Sequence, residues 1–137
     1  MGDSMKKRYI IVIIIACILL VYYKSTSFKF NLNNNEISSI EYTFDDYNNG
    51  IGYIEGEILD IDTIKNTIKY LNKLSLPKTL IHTKGATQYI CFKDKNGNVI
   101  KGYNFGCGNL WYKGNAYSLN ETTIDKIKKL LHVYNEN

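Results

Sequence analysis

Two histidines, three cysteines and thirteen carboxylates are the side chains from which a nucleophile, a general base or a metal site would have to be built. His82 falls on an expected strand and His132 near the end of the last expected helix, with no paired spacing between them. A zinc site needs three or four ligands at recognisable spacing. The sequence therefore assigns no metal, and a surface or helix-capping role is expected for both histidines. Asp94-Lys95-Asn96-Gly97-Asn98 resembles a calcium loop in composition, but its glycine comes too early and no glutamate closes it. It reads as a hairpin turn. Asp45-Asp46, or Glu55 with Glu57, are carboxylate pairs of the kind that line a glycosidase cleft. Acids adjacent in a turn, or alternating along the wet face of a strand, account for them as well. Cys107 lies between Gly106 and Gly108, which would expose a thiol, yet no base accompanies it in the sequence. No catalytic residue and no cofactor is assigned.

Two further sets have binding or covalent potential. Cys91 and Cys107 are candidates for a disulfide, although a hairpin turning at 94–97 would put Cys91 opposite a residue near Ile100 and leave Cys107 too far along. Tyr103, Trp111 and Tyr112 stand in the aromatic-rich last strands of a chain with twelve tyrosines. Aromatic platforms bind sugars and peptides. These three are the candidate binding residues, with core and cross-strand packing as the favoured alternative account.

The elements that would carry these residues follow from periodicity. Ile40, Tyr42 and Phe44 alternate with Glu41 and Thr43 as a half-buried strand does. Residues 45–50 read as a turn and 51–58 as the returning strand. Asp60 is a helix N-cap flanked by Leu59 and Ile64 as a hydrophobic staple, and Ile61, Ile64, Ile68 and Leu71 make a helical stripe over 61–74 that stops at Pro77. Short strand-like runs follow at 80–83, 87–93, 99–105, 110–113 and 116–119, with turns at 94–97 and 113–115. Leu119, Asn120 and Ile124 repeat the staple and cap, and Ile124, Ile127, Leu130, Leu131 and Tyr134 form the stripe of a closing helix. The expected fold is α+β: an antiparallel sheet of about five strands with two helices packed on one face, preceded by an N-terminal hydrophobic anchor helix.

Residues 1–24 are read as a signal anchor or a lipoprotein-type signal segment. Lys6, Lys7 and Arg8 precede an uncharged run over 9–23 that Lys24 closes, and Met5 offers a second start. The favoured reading is membrane attachment through residues 9–23, single-pass, with the C-terminal domain outside. The alternative is a lipid anchor at the outer face on Cys17, because Ile14-Ile15-Ala16-Cys17 partly matches a lipobox, although the residues after Cys17 stay apolar. Residues 25–36 are asparagine-rich and read as a polar tether, and 37–137 as the extracytoplasmic domain. Lys6, Lys7, Arg8 and Lys24 against Asp3 hold +3 of the formal +4, so the domain is nearly neutral and its lysines are scattered among acids. That excludes nucleic-acid binding, which needs a concentrated basic face.

The run Ile90-Cys91-Phe92-Lys93-Asp94-Lys95-Asn96-Gly97, the hairpin from Trp111 to Leu119 and the final helix around Ile124 to Leu131 resemble a family of small extracytoplasmic domains of unknown function, carried behind a lipoprotein signal or membrane anchor in low-GC Gram-positive bacteria. The resemblance implies an anchored envelope location and transfers no activity or site residue. The resulting expectation is a non-enzymatic binding or accessory module that meets an envelope protein. An immunity or inhibitor protein and a cell-wall glycan binder or hydrolase are the competing expectations.

Overall fold

The computed structural model describes residues 2–46, 50–80, 85 and 87–133. In chain order the elements are α1 (Gly2–Thr26), β1 (Ser39–Asp46), β2 (Ile51–Ile58), α2 (Ile61–Leu71), β3 (Lys78–Thr79), β4 (Gln88–Lys93), β5 (Val99–Gly106), β6 (Asn109–Tyr112), β7 (Asn115–Ser118) and α3 (Glu121–Leu130). All seven strands join one antiparallel sheet in the order β2-β1-β4-β5-β6-β7-β3. This corrects the expected five strands. The β1–β2 hairpin adds to β4, and the chain after α2 crosses to the far edge, where Lys78 and Thr79 pair with β7. The expected strand over 80–83 and the turn at 45–50 fall largely outside the described residues, as do His82 and Tyr134.

One face of the sheet is the core. Ile40, Tyr42 and Phe44 are buried on β1 while Glu41, Thr43 and Asp45 between them stay half exposed, so the alternation read from sequence is realised. Ile90 and Phe92 of β4, Tyr103 and Phe105 of β5 and Leu110 of β6 continue that face. Ile64, Ile68 and Leu71 of α2 and Ile124 and Ile127 of α3 cover it. Both helices begin as their caps predict: Asp60 accepts the Thr63 N–H and Asn120 accepts the Thr123 N–H, each at 2.8 Å. Leu59 is exposed, so α2 lacks the expected staple, whereas Leu119 and Ile124 are both buried at the start of α3. At the other end of α3, His132 takes φ 50° and the Val133 N–H reaches back to the Lys128 carbonyl. That is a Schellman cap with histidine in the left-handed position.

Residues 25–36 are not a tether. Phe28, Phe30, Leu32 and Ile37 are buried in the core. Phe28 and Leu76 exchange backbone hydrogen bonds of 2.8 and 3.0 Å. The Asn72 amide brackets Leu32, accepting its N–H and donating to its carbonyl, both at 2.8 Å. Only Ser27 separates the end of α1 from this packed segment.

The expected anchor helix is also corrected. Among the described residues, no helix is long and apolar enough to cross a membrane. The uncharged run over 9–23 gives a rise of only about 22 Å at ~1.5 Å per residue, against a hydrocarbon core of about 30 Å. What α1 does present is an apolar surface all round, with every large hydrophobic side chain from Tyr9 to Tyr22 exposed.

Gly56 shows how closely the covered face is fitted. It lies opposite Tyr42, and a Cβ there would sit 2.6 Å from the Tyr42 Cζ. Gly56→Ala is expected to lower stability by about 1–3 kcal/mol, because the buried ring has to move. Gly52→Ala, whose Cβ would meet nothing within 4 Å, is the control. Equal urea midpoints for the two variants would count against this fit.

Candidate functional site

The second face of the sheet carries no helix among the described residues. Glu41 and Thr43 of β1 lie opposite Glu57 and Glu55 of β2 and, on the other side, opposite Cys91 and Tyr89 of β4. Gly102 and Asn104 of β5 extend the row, and Trp111 of β6 follows beside Asn104. A depression of about 380 Å³ lies at the β2 end, bounded by Glu41, Thr43, Glu55, Glu57 and Tyr89.

Tyr89 organises the middle of this face. Its phenol lies across Gly102, where a Cβ would come within 2.8 Å of the Tyr89 Oη, so the glycine makes room for the ring. A hydrogen bond with the Cys91 thiol, followed by burial, pushes the Tyr89 phenol up to about 12. Cys91 is only 1% exposed although no helix lies over it. Lys93 pairs with Glu41, and that bond raises the Lys93 ammonium above its ordinary value. Glu55 and Glu57 make no ion pair among the described residues, so the β2 end of the face is acidic.

The candidate residues scatter. Tyr103 is buried on the core face, and Tyr112 packs against it with ring centroids 5.5 Å apart. Trp111, half-buried, belongs to the opposite face. The three therefore do not form one aromatic platform, because consecutive residues on a strand point to opposite sides. Cys91 and Cys107 are both free thiols. A register shift between Phe92 and Lys93 places Cys91 opposite Gly102 rather than near Ile100. Cys107 is the first residue of the two-residue β5–β6 turn, at φ 48° before Gly108 at φ 75°. Cys17 is a free, exposed thiol in the middle of α1. Among the described residues, no group of three or more histidine, cysteine or acidic side chains is placed to hold a metal ion.

The Asp94 loop is a hydrogen-bonded turn. The Asp94 carboxylate accepts from the Asn96 and Asn98 N–H groups and from the Asn98 amide, at 2.8 to 3.0 Å. These bonds, with the Asn98 side chain first, hold the Asp94 carboxyl below the ordinary value of 3.8. A depressed acid contributes stability above its unfolded pKa and loses it as pH falls through the folded one. The Asn96 and Asn98 amide resonances are therefore expected to hold steady down to about pH 4 and to move together below it. Movement beginning near neutrality would contradict this account.

Sequence reasoning noted Glu55 and Glu57 as alternating acids but did not place Tyr89 with them. Tyr89 pairs with Asn104 and its ring lies across Gly102, the partner of Cys91, a juxtaposition set by strand register that no local pattern in the sequence carries. No protein-family model matches the chain, and neither the curated proteins nor the solved structures contain a match.

Proposed function

We propose that this protein is a non-enzymatic binding or accessory module that associates with a membrane through residues 9–23 and meets a protein partner with the uncovered side of its sheet. The observation that carries the reading is the sheet itself. Among the described residues α2 and α3 cover one face, and the other face is left for a partner. Membrane association draws on the exposed apolar surface of α1, because a helix that is apolar all round is unstable in water without a cover. Lys6, Lys7 and Arg8 before that surface suit anionic headgroups.

Two measurements test the proposal. The full chain should sediment with membranes and be released by detergent, and a chain lacking residues 2–26 should stay in the supernatant with a native unfolding transition. Crosslinking of the full chain in intact cells, followed by affinity purification, should return one stoichiometric protein. Recovery of glycan fragments without a protein would replace this reading with a wall-binding one. A full chain that stays soluble without detergent would remove the membrane part.

A further inference from the structure

We propose that the domain lies against an anionic membrane surface with the β3 corner of its sheet, where Lys78 and Lys113 meet lipid phosphates and Leu80 enters the headgroup layer. The inference rests on the membrane association proposed above and adds which part of the domain the lipid touches. α1 sets the direction. Phe28 and Leu76 form an antiparallel bridge, so the chain traced back from Phe28 into α1 follows the course that β3 takes away from Leu76. Ala16, Leu19 and Leu20 of α1 accordingly share an apolar groove of about 650 Å³ with Pro77 and Lys78. Lipid around the apolar surface of α1 therefore fills this groove and meets the corner.

Register brings Leu80 and Lys113 to the same side. Lys78 pairs with Tyr117 and Thr79 with Ala116, so β3 runs toward the Lys113-Gly114 turn that joins β6 to β7. Leu80, the next residue, is 89% exposed, and Lys78 and Lys113 are exposed as well. The Lys113 Nζ stands 5.4 Å from the centroid of the half-buried Tyr112 ring, and a tyrosine beside a cation suits headgroup depth. Charge separates this corner from the far end of the sheet. β6, β7 and β3 hold no carboxylate, and no acid falls between Asp94 and Glu121 in the chain. β1 and β2 carry Glu41, Asp45, Asp46, Glu55 and Glu57 and no basic residue. From β3 to β1 the sheet order counts five strand steps, about 24 Å at ~4.8 Å each, which exceeds two Debye lengths of about 8 Å. An anionic surface therefore attracts the β3 corner without meeting the acidic end, and repels a pose that brings β1 and β2 down onto it.

The test uses the full chain in vesicles of phosphatidylcholine alone and of equal parts phosphatidylcholine and phosphatidylglycerol, each with a trace of phospholipid that is photoactivatable at the headgroup. Peptide mapping should find label on α1 in both kinds of vesicle, and on residues 78–80 and 113–114 only in the anionic ones. The corner label should fade at high salt, and residues 51–58 should stay unlabelled. Lys78→Gln with Lys113→Asn should cut the corner label at least about tenfold, because each lysine at an anionic surface is worth about fivefold. Asparagine tolerates the φ of 48° at position 113, and an unchanged urea midpoint would show that the double variant is folded. Label on α1 with none on the corner overturns the inference and leaves membrane association standing, whereas label on neither removes both. Equal corner label in neutral vesicles, or in the double variant, overturns it because the contact is then not one of charge. Label concentrated on residues 51–58 overturns the orientation. A protein crosslinked to Leu80 or Lys113 in anionic vesicles would overturn it in favour of a protein interface at this corner.

Discussion

A chain that begins at residue 37 is expected to lose its cooperative unfolding transition, while one that begins at residue 27 keeps it. Residues 28–32 contribute three side chains to the core. Phe28, Phe30 and Leu32 are 7, 3 and 7% exposed. The Phe28 ring lies 5.0 Å from Phe30, 5.7 Å from Tyr103, and 5.1 Å from both Tyr112 and Tyr117. Each fully buried side chain of this size contributes about 1.5–3 kcal/mol, so the three together hold roughly 5–9 kcal/mol. A domain of this size has a net stability of about 5–15 kcal/mol. The backbone bonds of Phe28 to Leu76 and of Leu32 to the Asn72 amide go with them, leaving polar groups of the remaining chain unpaired. Phe28→Ala in the full chain is the graded form, with an expected cost of about 3–5 kcal/mol. Urea denaturation followed by tryptophan fluorescence reads all three. A chain starting at residue 37 with an unchanged midpoint would show that the segment is a tether after all.

That segment also marks where the sequence stops being readable. Phe28, Phe30 and Leu32 alternate with Lys29 and Asn31, but the pattern is short and is followed by a run of asparagines. Its partners Leu76, Tyr103 and Tyr117 lie far along the chain, so nothing local distinguishes it from a linker. The two sheet-covering helices were legible because their determinants are local: a side chain that caps the third following N–H, and apolar residues every three or four positions. The Lys113-Gly114 turn was legible for the same reason, with φ of 48° and 77° in a two-residue hairpin. Strand order and register are different in kind. That β1 lies between β2 and β4 depends on pairings dozens of residues apart. One bulge beside Lys93 moves Cys91 by one residue along its partner strand. The acidic depression under Tyr89 exists only because those pairings bring three strands together. Its residues could be read as wet-face residues, but not as neighbours.

Tyr103→Ala is expected to cost about 3–5 kcal/mol, and Trp111→Ala, on a half-buried side chain of the other face, about 1–2 kcal/mol. Tyr103 is 1% exposed, its ring packs within 5.0 to 6.1 Å of Phe28, Phe30, Phe92 and Tyr112, and its hydroxyl donates to the Phe30 carbonyl at 3.2 Å. Tyr103→Phe keeps the packing and leaves that carbonyl without its donor, for a loss of about 0.5–1.5 kcal/mol. The phenol adds a pH signature. Burial pushes its pKa well above the ordinary 10.0. The folded state therefore holds a proton that the unfolded chain releases above pH 10, so this stability is complete below that value and is lost as pH rises toward the folded pKa. Tyr103→Phe should accordingly be less stable at neutral pH yet show a shallower decline in alkali, a crossing that a purely solvent-exposed tyrosine does not give. Urea titrations of the three variants at pH 7 and above pH 10 read both effects. If Tyr103→Ala leaves the neutral midpoint unchanged while abolishing capture of a partner, the residue belongs to a binding surface and the core assignment falls. If it lowers the midpoint as expected and Trp111→Ala alone weakens capture, the open face is where the partner lies.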